Sequence, residues 1–183
     1  MIEKILEILP ISLRDEAVKA TAYAEEKHGG QFRIGGEPYA NHVFRVAEAA
    51  AEHALAAEMP PETVRILAIS ALLHDVVEDT DATIEDVEEL FGKDVARVVL
   101  ALSHEDEDEL DEIYLARVAE GGELAILVKR YDKLDNIVSL PQAPADFRRR
   151  KLSENREALP LWNRMDPEGA ALIEELLKEI ENG

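Results

Sequence analysis

Histidine is scarce in this chain, five in 183 residues. One of the five lies within six residues of three carboxylates, in the stretch LLHDVVEDT from Leu72 to Thr80. His74 and Asp75 are adjacent, and the four-residue step of a helix places Glu78 over His74 and Asp79 over Asp75. The stretch closes an apolar run, so it reads as the last turn of a helix, where the backbone dipole disfavours negative charge. A bound cation resolves that conflict. Two further segments set small ligand residues into apolar helical context. In EPYANHVFRVAEAA, His42 opens a helix whose Val43, Val46, Ala47 and Ala50 are core-like. In AILVKRYDKLDNIVSL, Asp132 and Asn136 share a face and Asp135 stands one residue aside. Taken singly, each has a plainer reading: a packing histidine, or surface ion pairs such as Lys129 with Asp132. Taken jointly, His42, His74, Asp75 and Asp132 supply two imidazoles and two carboxylates from separate helices. That set can hold a metal and leave positions open for water and substrate.

Composition narrows the chemistry. With no cysteine, the chain has no disulfide, no thiolate ligand and no cysteine nucleophile, so a metal must be held by nitrogen and oxygen. Such a shell admits Mn²⁺, Fe²⁺ or Zn²⁺. The 40 acidic residues against 20 basic ones argue against nucleic acid or an anionic membrane as partner, since both need a basic surface. A small phosphorylated substrate would need the metal and a few local Lys or Arg to overcome the repulsion.

The elements that must position these residues are helices. Apolar residues recur at helical spacing, as in Val64, Leu67, Ala68, Ala71 and Leu72, and no alternating Val/Ile/Thr segment reads as a strand. Helices are predicted over about 12–28, 38–58, 61–78, 83–91, 93–102, 108–120, 122–140, 146–159 and 167–181, separated by Gly, Pro and Asp signals. The expected architecture is all-α, one bundle of about eight to ten helices over residues 1–183. There is no internal repeat and no low-complexity linker. Neither an apolar run of membrane-spanning length nor the pattern of a signal peptide is present, so a soluble cytoplasmic protein is expected. The acidic run HEDEDELDE, His104 to Glu112, reads as a solvated loop entering a helix N-terminus.

The order His, His-Asp, Asp resembles the signature of HD-domain metal-dependent phosphohydrolases. HGGQFRIGGEPYANH, LLHDVVEDT and LVKRYDKLDN look like the hydrolase domain of RelA/SpoT-type alarmone enzymes, with a stand-alone copy resembling the small alarmone hydrolases. The similarity is strongest over 20–140, with 141–183 as C-terminal helices completing the bundle. Its most specific element is the Glu78-Asp79 pair. The resemblance implies that His42, His74, Asp75 and Asp132 hold Mn²⁺. It also implies that Glu78, helped by Asp79, orients and deprotonates water for attack on the 3′-diphosphate of (p)ppGpp, releasing pyrophosphate. It places Arg33 against the guanine, Asn136 on the nucleotide sugar or phosphate, and Ser139 at a small hydroxyl position. Lys129, Lys133, Arg117 and the run Arg148, Arg149, Arg150, Lys151 are candidates for phosphate contacts, although the run also reads as a solvated face paired with acids.

The sequence departs from the family pattern at Ile34, where a second basic residue is common, and at Val43, where proline is common. The usual KLADRLHN reads KRYDKLDN, which changes Arg130, Tyr131 and Asp135. Two other readings follow. One keeps the metal and takes another nucleotide, a nucleoside monophosphate or the 2′-phosphate of NADPH. The other is a non-catalytic nucleotide sensor, against which the intact ligand set argues. His28 is expected to cap a helix C-terminus, His53 and His104 to lie on the surface, and Tyr23 and Trp162 to pack. Nothing in the sequence speaks to oligomeric state.

Overall fold

The computed structural model describes residues 2–104 and 109–182. In chain order it forms α1 (Ile2–Ile8), α2 (Arg14–Lys27), α3 (Ala40–Ala56), α4 (Pro61–Leu73), the single turn α5 (Val76–Asp79), α6 (Ile84–Phe91), α7 (Lys93–Leu102), α8 (Asp111–Glu120), α9 (Glu123–Ser139), α10 (Ala145–Met165) and α11 (Pro167–Asn182). Among the described residues the only β-pairing is an isolated bridge between Phe32 and Pro38. The all-α architecture read from periodicity is the one observed. No helix among the described residues is long and apolar enough to cross a membrane.

The site-bearing helices are α3, α4 and α9, which pack on one another at the centre. α4 starts with Pro61, whose fixed φ suits a first helical position. It is apolar nearly all round, and Leu67 through Leu73 are buried without a gap, as expected of a helix enclosed on every side. α3 presents Ala47, Ala50, Ala51 and Ala54 to the core, small side chains that let helices approach closely. Leu72 and Leu73, fully buried just before His74, each contribute roughly 1.5–3 kcal/mol of apolar transfer and anchor the end of α4. α6 is fixed by a reciprocal capping box, Thr83 Oγ1 accepting from Asp86 N–H and Asp86 accepting from Thr83 N–H. One cluster of buried apolar residues runs from Ile5 to Leu177.

Three boundaries differ from expectation. The helix anticipated over 61–78 breaks at His74-Asp75 into α4 and α5. Adjacent residues of a regular helix diverge by about 100°, whereas here the His74 and Asp75 side chains converge, and the break allows it. α10 extends through Pro160 to Met165 instead of stopping near 159, carried by the buried Trp162. α1, not anticipated, seats Ile5 and Leu9 in the core. Glu105 to Asp108 of the acidic run lie outside the described residues; of the remainder, Glu109 pairs with Arg117 at 2.6 Å, while Asp111 and Glu112 open the first turn of α8.

Candidate metal centre and adjoining pocket

The centre forms where the start of α3, the break after α4 and the middle of α9 meet. His74 Nδ1 lies 2.8 Å from the Ala71 carbonyl. That carbonyl can only accept, so the proton is on Nδ1 and the Nε2 lone pair points elsewhere. It points at Asp75 Oδ2, 2.9 Å away, in a geometry that makes no hydrogen bond and leaves Nε2 a buried polar atom without a partner. His42 repeats the pattern. Its Nδ1 meets Asp135 Oδ2 at 2.7 Å, and its Nε2 lies 3.2 Å from Asp132 Oδ1. Two imidazole lone pairs thus face two carboxylates, a repulsive arrangement unless positive charge sits between them. Donor atoms of His42, His74 and Asp75 lie within 4.8 Å of one another, and Asp132 Oδ1 is 3.8 Å from His74 Nε2. The donor set fits a divalent cation of the first transition row.

The electrostatics agree. Burial presses His74 toward neutrality, but Asp75 and Asp132 outweigh it and lift the imidazole to about 10. Burial likewise opposes charge on His42, and Asp132 and Asp135 raise it above its ordinary value. Burial works against ionisation of Asp75 and Asp132, yet the imidazoles, and Lys129 beside Asp132, hold both below the usual carboxylate range. The cluster is arranged to retain a positive charge.

Around it, Tyr39 donates to Asp75 Oδ2 at 2.7 Å and stacks on the buried His28, ring centroids 4.7 Å apart. Lys129 reaches Asp132 Oδ2 at 2.8 Å with its side chain only 18% exposed; the anticipated ion pair is therefore present, but turned inward. Asn136 donates to Asp132 Oδ1 at 2.6 Å and accepts from Arg33 at 2.6 Å. Burial raises Glu78 and Asp79 above their ordinary values. Glu78 accepts the His104 backbone N–H at 3.1 Å.

Tyr39, Arg33 and Asn136 connect this centre to a cavity of about 460 Å³ whose wall also carries Lys133, Ser139, Phe147, Lys151, Phe32 and Ile34. Arg33 is held there by a tight turn in which its N–H donates to the Glu37 carbonyl at 2.8 Å. Gly35 and Gly36 close the turn at φ 108° and 85°, values that favour glycine. Lys133 has no acid partner among the described residues, and burial together with the nearby Lys129 lowers it. Ser139 donates to the Asp135 carbonyl at 2.9 Å.

The other cationic candidates are committed elsewhere. Arg117 binds Glu109 and the Ser103 carbonyl. Arg149 pairs with Asp146, Arg150 and Lys151 with Glu154, and Arg148 donates to the Pro141 carbonyl. The basic run is therefore a solvated face, with Lys151 alone also reaching the pocket wall. His28 caps α2 as expected but is buried. His53 and His104, expected on the surface, are half-buried against Tyr131 and Tyr114, because aromatic neighbours cover them.

Sequence reasoning missed Tyr39, Arg45 and the part played by Asp135. In sequence Asp135 stands one residue aside of the face shared by Asp132 and Asn136, yet three residues after Asp132 is also a same-face helical step. The same spacing relates Tyr39 to His42 and could have flagged it.

A family model described as an HD domain matches residues 20–113, just over half of the chain. The chain belongs to the HD domain family, and within it is homologous to (p)ppGpp 3′-pyrophosphohydrolases. It is 35% identical over 173 residues to the guanosine-3′,5′-bis(diphosphate) 3′-pyrophosphohydrolase of Aquifex aeolicus, covering 90% of this chain and 23% of the relative. It is 33% identical over 181 residues to the bifunctional (p)ppGpp synthase/hydrolase SpoT of Escherichia coli, covering 90% and 24%. The chain thus spans about a quarter of the length of these two relatives. It is 38% identical over 123 residues to the Drosophila melanogaster 3′-pyrophosphohydrolase MESH1, covering 64% and 65%. A solved structure described as a metazoan ortholog of SpoT that hydrolyzes ppGpp superposes with a TM-score of 0.73 at 28% identity, covering 90% of this chain and 94% of that one.

Proposed function

We propose that residues 1–183 act as one hydrolase unit that removes the 3′-pyrophosphate of (p)ppGpp, yielding GDP or GTP and pyrophosphate, with Mn²⁺ held by His42, His74, Asp75 and Asp132. The observation that carries this reading is the pair of Nε2 lone pairs facing carboxylates at the end of a cation-lined cavity. A divalent ion in that place supplies Lewis acidity toward a phosphoryl oxygen and lowers the pKa of water.

The chain's own residues do the rest. Glu78, helped by Asp79 and, like it, kept more basic than an ordinary carboxylate by burial, orients the attacking water and takes its proton. The water oxygen bonds to the phosphorus nearest the ribose, the bond from that phosphorus to O3′ breaks, and O3′ recovers a proton from solvent. Lys129 offsets the charge of Asp132. Lys133, with no acid partner among the described residues, receives phosphate oxygens. Arg33 and Asn136 line the nucleotide end of the cavity, and Ser139 shapes its wall. Ile34, apolar and 52% exposed where a base is common in the family, leaves that end with fewer cations.

Incubating the Mn²⁺ form with ppGpp and identifying the products tests this. Pyrophosphate and GDP in equal amounts are expected. Release of orthophosphate alone, or turnover confined to nucleoside monophosphates or NADPH in a nucleotide panel, would overturn the substrate assignment.

A further inference from the structure

Asp135 is the point at which the two halves of the site touch. Its Oδ2 lies 2.7 Å from His42 Nδ1 and 2.7 Å from an Nη of Arg33. Arg45 grips the same carboxylate through Nε to Oδ1 at 2.6 Å and through Nη to Oδ2 at 3.0 Å, and is itself held by Glu37. Three cationic or N–H-bearing side chains, from the turn after α2 and from α3, therefore converge on one α9 carboxylate that is only 12% exposed. This residue also lies where the chain departs from the family pattern.

The consequence for His42 is a fixed tautomer. A carboxylate accepting from Nδ1–H leaves Nε2 unprotonated toward Asp132 and Asp75, makes it a stronger donor, and locks the ring plane. The consequence for Arg33 is a fixed pose. With one Nη on Asp135 and the other on Asn136, its guanidinium is held at the cavity wall with its orientation set by the same oxygen that orients His42.

We propose that Asp135 is a positioning residue that sets both the metal-facing nitrogen of His42 and the nucleotide-facing pose of Arg33, so that metal affinity and nucleotide affinity depend on one side chain. This inference rests on the reading of the site as a metal-dependent nucleotide hydrolase. Arg45 braces Asp135 without lining the cavity, so its removal acts on His42 and Arg33 only through that carboxylate.

The test is Mn²⁺ titration calorimetry on metal-stripped wild type, Asp135→Asn, Asp135→Ser, Asp135→Glu and Arg45→Met, each checked for folding by circular dichroism, with KM and kcat measured at saturating metal. Loss of an outer partner of this kind weakens metal binding by about 10–100-fold. That loss is expected for Asp135→Asn and Asp135→Ser, together with a raised KM, partial recovery in Asp135→Glu, and a smaller loss in Arg45→Met, which loosens the carboxylate but leaves it in place. Whichever Asp135 variant folds gives the answer. Mn²⁺ affinity within about twofold of wild type in the folded Asp135 variants, or a larger loss in Arg45→Met than in Asp135→Asn, would overturn the role of Asp135. A wild type that binds no Mn²⁺ would overturn the metal-site reading itself, so the two failures are distinguishable.

Discussion

Arg130 and Asp132 stand two residues apart on α9 and enter two buried charge networks built in opposite ways. Arg130 meets the corner between α10 and α11. Its Nε and one Nη donate to the two oxygens of Asp166 at 2.7 Å each, and its other Nη reaches Glu168 at 3.0 Å. The Gly169 N–H completes Asp166 at 3.0 Å, and a Cβ on Gly169 would lie 2.1 Å from an Asp166 oxygen. The buried Arg130–Asp166 pair is balanced in charge, Glu168 stands largely in solvent, and each group is used. On the other face of α9, Asp132 meets Lys129 and two imidazoles, and the buried His74 Nε2 is left facing the Asp75 carboxylate with no hydrogen bond. Buried ion pairs hold structure when fully satisfied and are costly when one member is missing. The first network is therefore a clamp, and the second gathers imidazole nitrogens and carboxylates at one point, the donor set that suits a divalent cation.

Exchanging the losses would break that contrast. Glu78→Gln is expected to lower kcat by about 10²–10⁴-fold, the range for removing a general base, with Mn²⁺ content unchanged. Because burial disfavours the charged form of Glu78, the neutral variant should melt no lower than wild type in a thermal scan. Arg130→Met is expected to do the reverse. Leaving Asp166 buried and unpaired costs about 3–5 kcal/mol, roughly a 10 °C fall in Tm for a chain of this size at about 2–4 °C per kcal/mol. Its kcat and Mn²⁺ affinity, measured well below the melting range, should match wild type. A metal-affinity loss in Arg130→Met at unchanged Tm would show that the two networks are one.

The difference between the networks also explains what the sequence made legible. His42, His74, Asp75 and Asp132 announce themselves because two imidazoles and two acids in apolar helices have few reasons to be there, and the structure brings them together. The helices around them are legible from periodicity where one face is apolar, as in α3 with its buried Val43, Val46, Ala47 and Ala50. Arg130 and Asp166 carry no such signal. A lone Arg in KRYD and a lone Asp in RMDP look like surface charges, and only the approach of α11 to α9 turns them inward. The break between α4 and α5 was equally hidden, since it serves convergence of two side chains and no local residue preference demands it. Lys129 looks like a surface partner in sequence because burial is a property of the packed bundle, not of a four-residue window.

The smallest expected effect concerns the proton that takes the cation's place in the metal-free protein. His74 is raised from 6.5 to about 10 in the folded chain. Below about pH 6.5 folded and unfolded chains are both protonated there, and the stabilisation is fully present. Between about 6.5 and 10 the folded chain keeps a proton the unfolded chain has lost, so stability declines with each unit, by on the order of a few kcal/mol in all. On the acid side Asp75, Asp132 and Asp135 are held below their ordinary value, so their contribution is present above about pH 4 and lost as pH falls through it. Metal-free Tm should therefore be highest between about pH 4 and 6.5 and fall toward 10. With Mn²⁺ bound the alkaline fall should vanish, because the ion replaces the proton, and Mn²⁺ affinity should rise over the same range as fewer protons must be displaced. A metal-free Tm that stays level from about pH 6.5 to 9 would mean that His74 is not kept protonated in the folded chain. The imidazole would then tolerate its carboxylate neighbour unaided, and the contrast with the Arg130 clamp would lose its physical basis.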